Sequence, residues 1–298
     1  MRGIHTHIED ALIHVGQQIS LYDQLQCPIL AYTGPIYYPM LDQFVMRIEE
    51  IAARRDDGDS PWTNPRRLAI ILTTSGGVVE VVEKMVDITR HFFDEVYFFV
   101  PVEAMSAGTI WCMSGDKIFM DYISSLGPID PQVPNPDGQF VPALGYIDKV
   151  NEIIAKPPGT MSDAEALMIS KLDVATLRRY EQARDLSITL LKEWLVKFKF
   201  KDWTHHRTTS PGSPVTGEQK DRRAEEIARD LSDNNLWHSH GRLISIDTLR
   251  NRLHLEIEDY SRDSALRENL RTYAGLISEY LSIKQQPFMF HTPPPQGR

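Results

Sequence analysis

The N-terminal part of the chain alternates between helical spacing and a short apolar run. Apolar residues that recur every three or four positions predict an amphipathic helix over residues 4–25 and a second helix over residues 40–53. Between them the run PILAYT is followed by Gly34 and Pro35, which predicts a strand and a turn. The period of the first helix is carried by Ile4, Ile8, Leu12, Val15 and Ile19.

The middle of the chain repeats a pattern of strand, turn and helix. The near-continuous apolar run RLAIILTT is typical of a strand buried on both faces of a parallel sheet. The turn SGG, the helical segment VVEVVEKMVDITRHF and the apolar run EVYFFVPV follow, which completes one βαβ unit. A second unit has MSAGTIWCMSG as its helix and DKIFMD as its strand. The predicted fold class is therefore α/β, with βαβ units and additional C-terminal helices.

The C-terminal half has mainly helical periodicity. Helices are predicted over residues 142–156, 216–232 and 264–283, and a long helix or a helical pair over residues 162–200. A turn, a short helix and a strand are predicted over residues 240–257. Ser162 and Glu165 have the spacing of a capping box at one of these helix starts. The expected organisation is an N-terminal helix (1–27), a core (28–200), an inserted loop and helix with the final helix–strand of the core (201–262), and a C-terminal helix with a frayed Pro-rich tail (263–298).

Composition narrows the class of protein. With 42% apolar residues in 298 the chain can bury a large core, and no apolar run approaches the roughly 20 residues that span a bilayer. The net charge of −9 argues against nucleic acid as a partner. Cys27 and Cys112 suggest reduced thiols, and no secretory signal is visible, so we expect a cytoplasmic protein. The histidines lack paired Cys or acidic ligands at metal-ligand spacing, so we expect no metal and no cofactor.

Two turns stand where a parallel sheet presents its chemistry, at the carboxyl ends of strands. In the first, Gly76 and Gly77 follow a strand and begin a helix, so the backbone can turn sharply and direct N–H groups at a forming anion. In the second, Ser106 lies between small residues at the start of a helix, where Ala107 contributes a free N–H group. Adjacent strands would bring the two turns together. Either turn alone is more often ordinary turn or capping chemistry; the pair favours a nucleophile beside an oxyanion site.

Residues 67–132 resemble the Clp protease proteolytic subunit, signal peptide peptidase A and the NfeD-type proteases. The stretch SSLGPIDPQ is similar to the signature of the serine dehydrogenase proteinase family within this group. The resemblance implies a Clp protease/crotonase-like fold with Ser106 as nucleophile and an oxyanion hole formed by Gly76, Gly77 and Ala107. It continues into LISIDTLRNRLHLEI, which resembles the last helix–strand of the fold, with His254 at the position of the motif's glycine.

The general base is the open question, because a serine hydroxyl needs an adjacent base. The Clp subunit has a histidine after the strand that follows its serine helix, and SSLGPIDPQ contains none. The NfeD-type resemblance implies a Ser–Lys dyad with Lys149, which can accept a proton only when desolvation favours its neutral form. The second candidate is His240, which precedes the final helix–strand. Lys171 and Asp130 rank lower, as a charge on a polar helix and a turn-shaping residue.

The resulting prediction is a cofactor-independent serine peptidase that acts on a peptide or protein substrate through an acyl-enzyme. Because proteins of this fold close into rings, we expect a homo-oligomer, with a trimer-based ring as one form. Two alternatives remain open. One is a crotonase-type acyl-CoA enzyme, which uses the same oxyanion geometry without a serine nucleophile. The other is a catalytically degenerate homologue that acts as a binding scaffold.

Overall fold

The computed structural model describes residues 4–56, 61–134, 140–171, 174–206 and 210–294. Residues 1–3, 57–60, 135–139, 172–173 and 207–209, and the end of the Pro-rich tail at 295–298, lie outside the described residues. The strands are β1 (Ile29–Thr33), β2 (Arg67–Thr73), β3 (Glu95–Val100), β4 (Glu103–Ala104), β5 (Lys117–Met120), β6 (Ser125–Leu126), β7 (Gln132–Pro134), β8 (Phe140–Pro142), β9 (Ile244–Ser245), β10 (Glu258–Asp259) and β11 (Met289–His291). The helices are α1 (Ile4–Ser20), α2 (Leu41–Asp56), α3 (Val79–Phe92), α4 (Ala107–Met113), α5 (Ala143–Ile154), α6 (Asp163–Ser170), α7 (Val174–Trp194), α8 (Gly217–Ser232), α9 (Asn234–Trp237), α10 (Ile246–Asn251) and α11 (Ser264–Lys284).

The main sheet has the strand order β10–β5–β3–β2–β1–β11. Every pairing in it is parallel except that of β1 with β11. The prediction of an α/β fold with βαβ units is confirmed, since α3 connects β2 to β3 and α4 precedes β5. Parallel strands need such crossovers, and the helices in turn cover the sheet.

The central strands are buried on both faces, as their apolar runs predict. In β2 the alternate residues Leu68, Ile70 and Leu72 belong to the larger core cluster, whereas Ala69 and Ile71 belong to the smaller one. Alternation follows from the two-residue period of a strand. The larger cluster includes side chains of α2, α3, α4 and α8, and the smaller includes side chains of α1 and α11.

The two ends of the chain meet on the smaller-cluster face. Helices α1 and α11 contact each other extensively and contribute Leu12, Ile19, Leu270 and Tyr273 to that core. The sequence pattern did not predict β11, which pairs antiparallel with β1 and extends the sheet. Because β11 precedes the Pro-rich tail directly, the tail begins at the sheet, and the Pro294 carbonyl accepts a hydrogen bond from Gln17.

A second, three-stranded sheet lies beyond the carboxyl end of β3, in the order β4–β6–β9. Ala104 of β4 is beside Leu126 of β6 in a parallel pairing, and Leu126 is beside Ile244 of β9 in an antiparallel one. The residues that follow β4 and β6 in the chain therefore start beside the residues that precede β9. This small sheet aligns the residues after 104, after 126 and before 244.

Helices α5 and α6 form an excursion from the sheet, whereas the C-terminal part of α7 packs into the larger core through Leu190, Leu191 and Trp194. Of the two forms predicted over 162–200, the structure has the helical pair, and α7 ends in a π-helical turn at Leu195–Lys199. The predicted capping box is present, since the Ser162 hydroxyl accepts from the Glu165 N–H and the Glu165 carboxylate accepts from the Ser162 N–H. In the described residues, no helix combines the length and apolar character needed to cross a membrane.

Candidate active site

Ser106 occupies a sharp turn between β4 and α4. Its backbone angles are φ 52° and ψ −117°, a conformation that residues with a Cβ rarely adopt. Such strain persists only where the surrounding structure fixes it, and it concentrates at functional sites. The side chain is partly exposed, and its hydroxyl makes no hydrogen bond within the part of the chain that the structure describes. The turn thus presents an unengaged hydroxyl at the start of a buried helix.

The diglycine turn packs directly against this serine. Gly76 has φ 96°, and a Cβ built there would lie 2.8 Å from the Ser106 Cβ and 2.6 Å from the Met105 carbonyl oxygen. Only glycine permits both the backbone angle and the close approach. The turns are also joined by hydrogen bonds, from the Thr74 N–H to the Glu103 carbonyl and from the Met105 N–H to the Thr74 carbonyl. The prediction that the two turns meet is confirmed.

The backbone N–H groups of the two turns differ in whether they already donate a hydrogen bond. The Gly76 N–H donates to the Thr74 hydroxyl oxygen at 3.0 Å. Gly77 is flanked by bonds to Ile36, which donates to the Gly76 carbonyl and accepts from the Val78 N–H. In a parallel pairing this arrangement turns the N–H of the intervening residue to the opposite side. No described residue accepts from the N–H of Gly77.

Ala107 provides a second unengaged N–H group. It is the first residue of α4, and the first N–H groups of a helix have no partner within the helix. Its nitrogen lies 3.2 Å from the position of a Cβ built on Gly76, so it faces the diglycine turn. Two open backbone donors therefore flank the serine turn, which is the arrangement that can hold an oxyanion. Gly76 allows the two turns to pack closely, and its own N–H group already donates to the Thr74 hydroxyl.

Thr109, which the sequence analysis missed, connects the serine turn to the LGPID segment. Its buried hydroxyl lies 2.8 Å from the Ala104 carbonyl oxygen and 2.9 Å from that of Gly127, and it accepts from the Gly127 N–H at 3.0 Å. Gly127 also leaves no room for a Cβ, which would lie 2.5 Å from the Met105 Cε. Thr109 stands three residues after the serine in the quoted motif, but its partners are distant in sequence and only the structure identifies them.

His240 and Asp130, considered separately in the sequence, form a pair. The His240 Nδ1 lies 2.9 Å from Asp130 Oδ1, with the histidine side chain 23% exposed and the carboxylate 1% exposed. Asp130 is four residues beyond Leu126, and His240 is four residues before Ile244, which is the residue paired with Leu126. Ser106 is two residues beyond Ala104, the parallel partner of Leu126. The three residues thus lie on chain segments that adjoin the small sheet.

Lys149 has different surroundings. It lies on the exposed side of α5, and its ammonium forms an ion pair with Glu152 at 3.0 Å. The apolar neighbours expected to desolvate it, Val150 and Ile153, are buried, as is Ile147. The Lys149 side chain is nevertheless 46% exposed, because its ammonium extends to Glu152 rather than into that apolar row. Its neighbour Tyr146 belongs to residues whose side chains are not described.

The other residues singled out in the sequence have surroundings of their own. Lys171 is the exposed C-cap residue of α6. Cys27 and Cys112 are free and buried, and desolvation raises the pKa of Cys27 to about 12. In the described part of the chain, no three His, Cys, Asp or Glu residues come together in a metal-binding group. His254, which stands at the motif's glycine position, has φ 45°. This is the left-handed conformation that favours glycine.

Comparisons with known proteins agree with the sequence resemblance. Residues 52–218, more than half of the chain, match the ClpP-like SDH-type serine proteinase family. An uncharacterised protein of Methanocaldococcus jannaschii, MJ0137, is 29% identical over 174 residues, which are 55% of this chain and 53% of that protein. The chain thus spans about half the length of this curated relative.

Solved structures of two mutants of the 1510-N membrane-bound stomatin-specific protease are similar to this chain. A serine-to-alanine mutant has 15% identity and a TM-score of 0.45, with 78% of each chain covered. A lysine-to-alanine mutant in complex with a substrate peptide has the same identity and TM-score, with 78% of this chain and 74% of that one covered. The ClpP protease catalytic domain from Plasmodium falciparum has 12% identity and a TM-score of 0.29, over 40% of this chain and 59% of its own. On the family match, this chain belongs to the ClpP-like SDH-type serine proteinases.

Proposed function

We propose that the protein is a serine peptidase in which Ser106 forms an acyl-enzyme. The observation that carries the proposal is the strained turn at Ser106, which is packed against Gly76 and leaves its hydroxyl unengaged. A serine that only capped α4 would have the extended backbone of an N-cap and would bond to a helix N–H, and Ser106 does neither. Strain of about 1–3 kcal/mol is expected at such a residue, and a role for its hydroxyl explains its retention.

The N–H groups of Gly77 and Ala107 form the proposed oxyanion hole. Both lack a partner among the described residues and both flank the serine turn. In the reaction, the Ser106 Oγ attacks the scissile carbonyl carbon while its proton passes to the general base. The negative charge moves to the carbonyl oxygen, where these donors stabilise it. The base then protonates the leaving amine, and water hydrolyses the ester by the reverse transfers.

For the general base, the surroundings favour His240 over Lys149. His240 is partly buried, contacts Asp130 at 2.9 Å, and lies on a segment that adjoins the same small sheet as the serine turn. Lys149 is exposed, and its ammonium pairs with the Glu152 carboxylate rather than with a residue of the serine turn. In this structure neither side chain contacts the Ser106 hydroxyl, and catalytic hydrogen bonds often tighten only when substrate binds.

Single substitutions separate the two candidate bases. If His240 is the base, His240→Ala removes most of the activity and Lys149→Ala leaves it close to wild type. If Lys149 is the base, Lys149→Ala is the damaging change. We expect the first result. Full activity of His240→Ala at every pH would remove that residue from the mechanism.

Covalent labelling separates the peptidase from its two alternatives. A fluorophosphonate probe should phosphonylate Ser106 in the wild-type protein and leave Ser106→Ala unmodified. Binding of coenzyme A without labelling would instead favour an acyl-CoA enzyme. A folded protein that neither reacts with the probe nor binds coenzyme A would be a scaffold, and the peptidase proposal would be wrong.

We also propose that the protein is cytoplasmic and that it forms a homo-oligomer. The exposed apolar side chains of the excursion support the assembly, since α6 has no buried residue and Leu167 and Met168 are each more than half exposed. Larger exposed apolar patches commonly mark interaction sites. Sedimentation should give a mass that is a multiple of 34.1 kDa. A mass of one chain at micromolar concentration would contradict the proposed assembly.

A further inference from the structure

Thr74 bonds through its backbone to the segment that leads to Ser106. It follows β2 directly and is 2% exposed. Its N–H donates to the Glu103 carbonyl at 3.0 Å, and its carbonyl accepts from the Met105 N–H at 2.9 Å. These two bonds form a parallel bridge between Thr74 and Ala104. The end of β2 is thereby fixed beside the entry to the serine turn.

The Thr74 hydroxyl holds the diglycine turn. Its Oγ1 accepts a hydrogen bond from the Gly76 N–H at 3.0 Å. On the other side of the turn, the Gly76 carbonyl accepts from the Ile36 N–H. The peptide between Gly76 and Gly77 carries the N–H group proposed as one oxyanion donor. A shift of Gly76 away from Thr74 would therefore move this donor directly.

The Thr74 methyl group contacts the first turn of α4. A Cβ built on Gly108 would lie 2.3 Å from the Thr74 Cγ2, so the contact leaves no room for a side chain at residue 108. Gly108 adjoins Ala107, whose N–H group is the other proposed oxyanion donor. The methyl group therefore limits how closely the start of α4 can approach the end of β2.

We propose that Thr74 is a positioning residue for the oxyanion hole. Its hydroxyl fixes the turn that carries the Gly77 N–H, and its methyl group fixes the start of the helix that carries the Ala107 N–H. This inference rests on the proposed function and adds what sets the spacing of the two donors. An oxyanion donor is effective only where it meets the charge that develops in the transition state. A displacement of about 1 Å can cost on the order of 10² in rate.

The test is the nearly isosteric change Thr74→Val, which removes the hydroxyl and keeps the methyl group. The Gly76 N–H then loses its acceptor and the diglycine turn can shift. We expect kcat for a peptide ester to fall by roughly 10–10² with KM nearly unchanged, since the donors act mainly on the transition state. Thr74→Ser keeps the hydroxyl and should retain a kcat within about threefold of wild type. An unchanged kcat in Thr74→Val, or an equal loss in both variants, would overturn the proposal.

A matched control removes a buried threonine hydroxyl that does not contact either turn. Thr89 of α3 is also 2% exposed, and its hydroxyl donates to the Met85 carbonyl at 2.7 Å. Thr89→Val removes a buried hydrogen bond of the same kind and should leave kcat close to wild type. A drop in kcat of the same size in Thr89→Val and Thr74→Val would mean that both act through stability alone, and the proposal would fail.

Exchanging the sizes of the two contacting residues tests the methyl group. Gly108→Ala adds a Cβ only 2.3 Å from the Thr74 Cγ2, so α4 must move and kcat should fall. Thr74→Ser removes that methyl group while keeping the hydroxyl. Combined with Gly108→Ala it should raise kcat at least about tenfold over Gly108→Ala alone, or restore folding if that variant does not fold. A double variant no better than Gly108→Ala would overturn the role of the methyl group.

Two readouts separate failure of this inference from failure of the peptidase proposal. Hydrogen exchange of the Gly76 amide should be slower in wild type and Thr74→Ser than in Thr74→Val, and equal exchange in all three would overturn the role of Thr74. Phosphonylation of Ser106 by a fluorophosphonate should be slower in Thr74→Val than in wild type. Equally fast labelling would refute the role of Thr74 alone, whereas an unlabelled wild-type Ser106 would refute the peptidase proposal and with it the role of Thr74.

Discussion

The serine turn and the α5–α6 excursion differ in their burial and in the contacts that fix their backbone. Every residue of α4, which Ser106 precedes, is buried, and the turn is fixed by bonds to Thr74 and by contact with Gly76. In α6 no residue is buried, and the excursion exposes Ile154, Leu167 and Met168. The first region has one permitted backbone geometry, whereas local bonds such as the Ser162 capping box hold the second.

This difference indicates where catalytic geometry can be maintained. A nucleophile and its oxyanion donors must be held within fractions of an ångström, which buried backbone contacts provide. A base on the exposed face of α5 would lack this support, whereas Asp130 and His240 extend from the same small sheet that carries the serine turn. Substitutions in the turn should therefore affect chemistry, and those in the excursion should affect stability or assembly.

The largest effect is expected at the nucleophile. Ser106→Ala should lower peptide hydrolysis by more than about 10³-fold, because no other described side chain in the turn provides the attacking hydroxyl. Ser106→Gly should be equally inactive and more stable by about 1 kcal/mol, since glycine adopts φ 52° without strain. Thermal unfolding and hydrolysis assays measure both, with the exposed Ser282→Ala as a neutral control. Turnover by folded Ser106→Ala would contradict the assignment.

Glycine substitutions compare the two regions directly. In Gly77→Ala the added Cβ would lie 1.9 Å from the Ile36 carbonyl oxygen, so the turn and its N–H group must shift. We expect the acylation rate to fall by roughly 10²–10³ with a smaller change in KM, and stability to fall as well. In α5, Gly145→Ala meets no atom within 4 Å and should raise stability by less than about 1 kcal/mol with activity unchanged. An effect of Gly77→Ala on KM alone would be inconsistent with an oxyanion donor.

Acid should weaken the edge of the sheet that supports the turn. Burial lowers the pKa of His291, in β11, from 6.5 to about 4, and Arg47 contributes to the same shift. Between these two values the unfolded chain binds a proton that the folded chain does not. The contribution of the neutral, buried His291 to stability is therefore complete above pH 6.5 and is lost as pH falls towards 4. The shift corresponds to a loss on the order of 3 kcal/mol in the free energy of unfolding. Denaturant titrations at several pH values give the free energy of unfolding of wild type and of His291→Gln. Between pH 6.5 and 4 this free energy should fall more steeply with decreasing pH in the wild type than in the variant; an equal dependence on pH would contradict the assignment.

The fold and the meeting of the two turns could be predicted because their signals are local. Buried parallel strands require continuous apolar runs, and the sharp turns require Gly76, Gly77 and small residues around Ser106. The strand β11 was not predicted because it is three residues long, and its pairing with β1 depends on a partner more than 250 residues away. A short apolar run next to prolines has no periodicity that would indicate a strand.

The contact between Asp130 and His240 could not be predicted because it joins distant segments of the chain. Asp130 and His240 are 110 residues apart, and no sequence spacing indicates that β6 and β9 bring them together. Lys149 ranked first on its place in a motif, and the side of α5 that it occupies follows from the burial of Ile147, Val150 and Ile153. That helix has apolar residues around much of its circumference, so its buried face was not evident from the sequence.

The most direct test of the central claim is the mass of the protein during turnover. Acid quenching of the wild-type protein within the first turnover of a peptide ester should trap an adduct with the mass of the acyl group. Peptide mapping should place that adduct on Ser106, and Ser106→Ala should carry none. Hydrolysis without any trapped adduct, or an adduct on another residue, would contradict the acyl-enzyme mechanism.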